Sequence, residues 1–117
     1  MEGQDIKKRL LDFVTQRDWV RYHNPKDLTL AIFIEMAELA EHFLWKSNDS
    51  IEEYLGHEQN MNGILEEIAD ILIYSLNMIN AIERISGKSI DVRKIIEDKI
   101  LKNSKKYPVD ECRKKGF

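Results

Sequence analysis

The sequence predicts an all-α protein organised as an antiparallel four-helix bundle. Three observations carry that expectation. Helix-end signals recur along the chain, period-2 alternation of the kind strands require is missing, and the two prolines and five glycines fall largely at segment edges. Short connections between long helical segments then favour antiparallel neighbours.

The first helix is placed at about Ile6–Tyr22. The second is placed at about Pro25–Trp45. Its start is marked by Asn24-Pro25-Lys26-Asp27: an N-cap, a proline at the first helical position and an acid in the first turn. A short helical piece follows Ser50, where Ser50-Ile51-Glu52-Glu53 matches a capping box. The third helix is placed at about Asn62–Ser86 and closed by Gly87, the fourth at about Ile90–Lys106. Residues 1–108 form one domain, and the charged segment 109–117 is read as a mobile tail.

Composition narrows the class. A chain of 117 residues fits one domain and leaves no room for a second catalytic module. Hydrophobic residues make up 43% and charged residues 33%, which is neither a disordered nor a membrane composition. With 18 Lys+Arg against 21 Asp+Glu the net charge is −3, which argues against binding a nucleic acid polymer. The single cysteine, Cys112, excludes a disulfide scaffold and a multi-cysteine zinc site. Met1-Glu2-Gly3-Gln4-Asp5 lacks the basic-then-apolar pattern of a signal peptide, and no apolar run approaches a membrane span. A cytoplasmic protein without a membrane partner is expected.

The informative residues are acids in apolar surroundings. From Leu28 to Trp45, 13 of 18 residues are hydrophobic, covering most of the helix circumference. Glu35, Glu38 and Glu41 interrupt that segment, and Glu66, Glu67 and Asp70 interrupt the aliphatic run from Ile64 to Leu76. Glu35 with Glu38, and Glu67 with Asp70, each share one helix face. Neither segment contains a Lys or Arg, so four carboxylates converge without a counter-charge if the two helices pack together. Buried carboxylates must be paired, protonated or bound to metal. All-oxygen ligand sets suit Mg²⁺ or Mn²⁺, and Mg²⁺ held by a few carboxylates commonly shares its coordination with phosphates. Glu41 and Glu66 fall off the paired faces and are read as exposed.

The spacing Glu35-x-x-Glu38, 28 residues, Glu67-x-x-Asp70 resembles the signature of the all-α nucleoside triphosphate pyrophosphohydrolases of the MazG-like group. Several flanks resemble its dCTP pyrophosphatase branch. They are Phe13, Arg17-Asp18-Trp19, Tyr22-His23, Pro25-Lys26-Asp27-Leu28, Phe43, Trp45-Lys46, Tyr74 and the closing Lys99, Asn103 and Lys106-Tyr107-Pro108. The resemblance implies cleavage of a (deoxy)nucleoside triphosphate, dCTP or a modified dCTP first among them, to monophosphate and diphosphate. It implies Mg²⁺, with Mn²⁺ as a substitute, on Glu35, Glu38, Glu67 and Asp70. It implies base contacts from Trp19, Trp45 and Tyr74, and phosphate contacts from Lys99, Asn103 and Lys106, which share one face of the last helix. It also implies a homodimer or homotetramer with active sites near subunit contacts. That agrees with the apolar surface of the second and third helices, which one short domain cannot cover. His23 is read as a packing or capping residue, and His42 as facing a neighbouring helix or water. Two other readings remain open on sequence alone: a non-catalytic metal- or nucleotide-binding regulatory module, and a helical interaction protein whose acids pair with a partner.

Overall fold

The computed structural model describes residues 2–115. Among them are six α-helices: α1 (Glu2–Gln16), α2 (Pro25–Glu41), α3 (Asn48–Leu55), α4 (Glu58–Ser86), α5 (Val92–Lys106) and α6 (Val109–Lys115). A 3-10 turn at Val20–Tyr22 joins α1 to α2, and no strand occurs among the described residues. No helix there is long and apolar enough to cross a membrane.

The helix ends show where local chemistry overrode apolar periodicity. The first helix stops at Gln16, short of the Tyr22 expected. Asp18 adopts a left-handed backbone (φ 55°). The Asp18 amide then reaches the Thr15 carbonyl at 3.1 Å and the Trp19 amide reaches the Val14 carbonyl at 2.9 Å. This is a Schellman closure with Asp in the place glycine usually takes. It turns Trp19 back onto Phe13, whose ring it meets edge-on at 5.8 Å.

The second helix starts as read: the Asn24 side chain accepts from the Asp27 amide at 2.9 Å, with Pro25 at the first position. It ends at Glu41 rather than Trp45, because the chain turns through His42–Lys46 and Trp45 takes a left-handed φ of 65°. The capping box at Ser50 does not form. Ser47 caps α3 instead, accepting from the Ser50 amide at 3.3 Å, and the two hydroxyls lie 3.0 Å apart. α4 begins at Glu58, ahead of the Asn62 expected, so Asn62-Gly63 lies inside a helix rather than at a gap. Gly63 lies against the His42 ring, where an added Cβ would stand 3.4 Å away, at ordinary contact distance. α5 begins at Val92, with Asp91 capping through the Lys94 amide at 3.1 Å. The segment after Pro108, read as a mobile tail, is helical from Val109 to Lys115.

Gly87 closes α4 with φ 72°. A Cβ there would meet nothing within 4 Å, so the backbone alone sets the cost of a side chain. Gly87→Ala is expected to destabilise the protein by about 1 kcal/mol, read from a urea unfolding midpoint.

α2 and α4 form the central antiparallel pair. Arg84 donates to the His23 carbonyl at 2.9 Å at one end, and the His42 ring lies over Gly63 at the other. α1 packs against α4, α3 against α4, and α5 against α1. The partly buried Lys7–Glu83 ion pair ties α1 to the end of α4. Glu83 also accepts from the Ile90 amide at 2.9 Å, and Asn80 donates to the Lys7 carbonyl at 3.0 Å. The Lys7 ammonium holds the Glu83 carboxyl below the usual carboxylate range. The buried apolar side chains among the described residues are few: Val14, Leu28, Ile64, Ala81 and Val92.

Candidate active site

The antiparallel register of α2 and α4 brings their acids together. Glu35, Glu38 and Glu67 each place one carboxylate oxygen within 4.8 Å of the others. Glu35 and Glu67 are half-buried, whereas Glu38 is exposed. Asp70 stands outside this trio, but its negative charge reaches Glu35. The Glu35 carboxyl is pushed above its ordinary range. Its hydrogen bond with Glu67 contributes most, then burial, then the charges of Glu67 and Asp70; a hydrogen bond with Glu38 pulls the other way. Glu67 Oε2 is buried and has no hydrogen-bond partner among the described residues. The cations that pair with acids do so elsewhere, as in Lys7–Glu83, Arg93–Glu97 and Lys94–Asp98.

These features fit a divalent cation. Three carboxylates in contact, one with an orphaned oxygen, repel one another and offer hard oxygen donors. The donor set holds no sulfur, and no imidazole belongs to the trio. His42 instead bonds the Tyr54 hydroxyl through Nδ1 at 2.7 Å, facing α3 as read from the sequence.

Two clefts adjoin the acids. An open, polar one of about 360 Å³ is lined by Glu38, Glu41, His42, Tyr54 and Glu67. Glu41 is exposed, as expected, but it lines this acidic cleft, one turn beyond Glu38. The second cleft, of about 350 Å³, is mostly apolar and lies between α1, the 3-10 turn and α4. Phe13, Trp19, Ile73 and Tyr74 form its walls, with Asp70, His23 and Asn77 as its polar groups. Asp70 therefore links the acid cluster to the aromatic cleft. The His23 imidazole is held below its ordinary pKa, by burial first and then by the Arg84 guanidinium, which favours its neutral form.

The sequence-selected residues thus divide. Trp19 and Tyr74 share the aromatic cleft with Asp70. Trp45 is not among its lining residues; it is 94% exposed at the turn after α2. Lys99, Asn103 and Lys106 are exposed on α5 and line neither cleft. Asn77 was not singled out from sequence. The available signal was its spacing, three residues after Tyr74 and seven after Asp70, as an amide inside an aliphatic run.

Fold and site together define a class: all-helical proteins in which acids from two antiparallel helices meet beside an aromatic cleft. A family model described as MazG-like matches residues 30–115. The chain belongs to the MazG-like family. It is 30% identical over 106 residues to dCTP pyrophosphatase 1 of Rattus norvegicus, covering 91% of this chain and 59% of that protein. It is 28% identical over 110 residues to dCTP pyrophosphatase 1 of Homo sapiens, covering 94% and 61%. The chain thus spans about three-fifths of the length of these curated relatives. The crystal structure of a pyrophosphatase from Archaeoglobus fulgidus is similar at 37% identity with a TM-score of 0.78, covering 92% of this chain and 94% of that one.

Proposed function

We propose that the chain is a Mg²⁺-dependent nucleoside triphosphate pyrophosphohydrolase that converts a deoxynucleoside triphosphate and water to the monophosphate and diphosphate. The observation that carries this reading is the meeting of Glu35, Glu38 and Glu67, with no ion pair to a Lys or Arg among the described residues, next to Asp70, which lines a cleft walled by Trp19 and Tyr74. Family membership and the names of the relatives support it. Those names also favour dCTP as the substrate; we extend the reading to a modified dCTP and to the clearing of such nucleotides from the cytoplasmic pool.

In this reading Glu35, Glu38, Glu67 and Asp70 hold Mg²⁺, with Mn²⁺ able to replace it. A bound divalent ion neutralises phosphate charge and favours in-line attack by water on the α-phosphorus. Glu35, Glu38, Glu67 and Asp70 supply the oxygen donors, and one of these carboxylates, or the ion, would activate the attacking water. Trp19 and Tyr74 sandwich or flank the base; base–aromatic stacking is worth about 1–3 kcal/mol. Lys99, Asn103 and Lys106, one face of α5, contact the phosphates. Trp45, exposed on its own chain, contacts a nucleotide on a neighbouring copy in a homodimer or homotetramer. Self-association completes the four-helix bundle.

The test is diphosphate release from a panel of canonical and modified (d)NTPs, with Mg²⁺, with Mn²⁺ and with EDTA. Metal-dependent release is expected, fastest with dCTP or a modified dCTP. Nucleotide binding without release would make the chain a regulatory module instead.

A further inference from the structure

Asn77 is 4% exposed, and its Oδ1 has no hydrogen-bond partner among the described residues. Leaving a buried amide oxygen unpaired costs about 1–3 kcal/mol, so its persistence in a folded chain calls for a donor from outside. The side chain lines the aromatic cleft together with Trp19, Tyr74 and His23. Its place on α4 has a direction as well. Asp70, Tyr74 and Asn77 follow one another along one face, and seven residues at 1.5 Å each put Asn77 about 10 Å beyond Asp70 along the axis. A nucleotide whose phosphates lie at the acids, and whose base lies between Trp19 and Tyr74, turns the far edge of that base toward Asn77.

We propose that Asn77 is the base-selecting residue of this cleft: its Oδ1 accepts a hydrogen bond from the exocyclic amino group of the base, favouring cytosine over uracil. The proposal rests on the nucleotide-hydrolase reading above and deepens it. In this orientation of the amide a keto oxygen at the same place sets acceptor against acceptor; turned over, the amide would offer Nδ2–H to that oxygen instead, the arrangement that a preference for dUTP would report. Sites built on such a bond reject the analogue that lacks the donor far better than apolar pockets reject a missing methylene. Burial and then the Arg84 guanidinium favour the neutral form of His23, which lines the same cleft. One competing explanation is local. A void of about 10 Å³ lies behind Asn77, lined by Leu11, Val14, His23 and Arg84, and is close to the smallest space that admits a water. A water there would satisfy Oδ1 with no part in selection.

The test compares kcat/KM for dCTP and dUTP, with Mg²⁺, in the wild type, Asn77→Leu and Asn77→Ala. The wild type is expected to prefer dCTP, and both variants to lose that preference by about tenfold or more, the scale of a good amide–base pair. Circular dichroism and thermal unfolding of each variant check that the fold is retained. Asn77→Leu, which replaces an unpaired polar group by an apolar one, should unfold no earlier than the wild type. An active wild type with a dCTP/dUTP ratio unchanged in both variants would overturn the assignment and leave the hydrolase reading standing, as would a wild type that prefers dUTP. A wild type that releases diphosphate from no nucleotide would overturn the hydrolase reading, and the assignment with it.

Discussion

Glu67→Gln is expected to abolish diphosphate release and, in the same molecule, to stabilise the metal-free protein. The two effects share one cause. Glu67 lies against Glu35 and keeps one buried oxygen unpartnered. A cation turns that repulsion into coordination; without one it is a cost. Gln keeps the shape, removes the charge and offers an N–H to the Glu35 carboxylate. Loss of a ligand should reduce kcat/KM by at least about a hundredfold, since even outer-shell partners of a metal account for 10–100-fold.

The pH dependence of the same variant has a definite sign. The Glu35 pKa is raised in the folded chain, so the folded state holds that proton more tightly than the unfolded state does. The stability of the metal-free wild type therefore falls as pH rises from the ordinary Glu range through the higher folded value. In EDTA near neutral pH, Glu67→Gln should melt above the wild type, and the gap should close as pH falls and Glu35 takes up its proton. With Mg²⁺ the order should reverse. A cation at 100 times its Kd adds about 2.7 kcal/mol to the wild type, and Glu67→Gln should gain much less. Near-wild-type release in the variant, or equal protection of both proteins by Mg²⁺, would sink the metal assignment.

The parts of the site legible in the sequence were those set by helix periodicity. Acids three apart on two apolar helices without Lys or Arg meet once α2 and α4 run antiparallel, and that depends on spacing alone. Asn24-Pro25 likewise placed the start of α2, because cap, proline and acid act within one turn. The misplaced boundaries had other causes. Phe43, Leu44 and Trp45 continue the apolar pattern while the backbone has already turned, so hydrophobicity does not report the end of α2. Asp18 in a left-handed conformation is a choice few sequences make, and it moves Trp19 from a helix to the cleft. Asn77 is an ordinary polar residue until tertiary packing removes its partners. Trp45 and the α5 residues Lys99, Asn103 and Lys106 are exposed on the single chain, and their spacing alone does not bring them to the acids.

The protein is expected to self-associate, and to lose its fold when it cannot. Phe33 is 71% exposed on α2 and Ile100 is 59% exposed on α5, and neither is isolated. Leu30, Ile34 and Met36 accompany Phe33; Ile96 and Leu101 accompany Ile100; Leu65 and Leu72 are exposed on α4. Contiguous apolar surface of this kind marks an interface rather than a solvated face. The energetics point the same way. Ordering the backbone costs about 1–2 kcal/mol per residue, while burying a large aliphatic or aromatic side chain returns about 1.5–3 kcal/mol. The few buried apolar residues among those described contribute too little on their own, and the exposed ones would contribute once a second copy covered them. Sedimentation should therefore give twice or four times the mass of the chain, and the thermal midpoint should rise with protein concentration, because unfolding is then linked to dissociation. Phe33→Glu would place a charge in the contact and should shift the species toward monomer while lowering the midpoint. A monomer at micromolar concentration with a concentration-independent midpoint would refute the assembly. Mg²⁺ protection that survived in that monomer would show that Glu35, Glu38 and Glu67 hold the ion without help from a second chain.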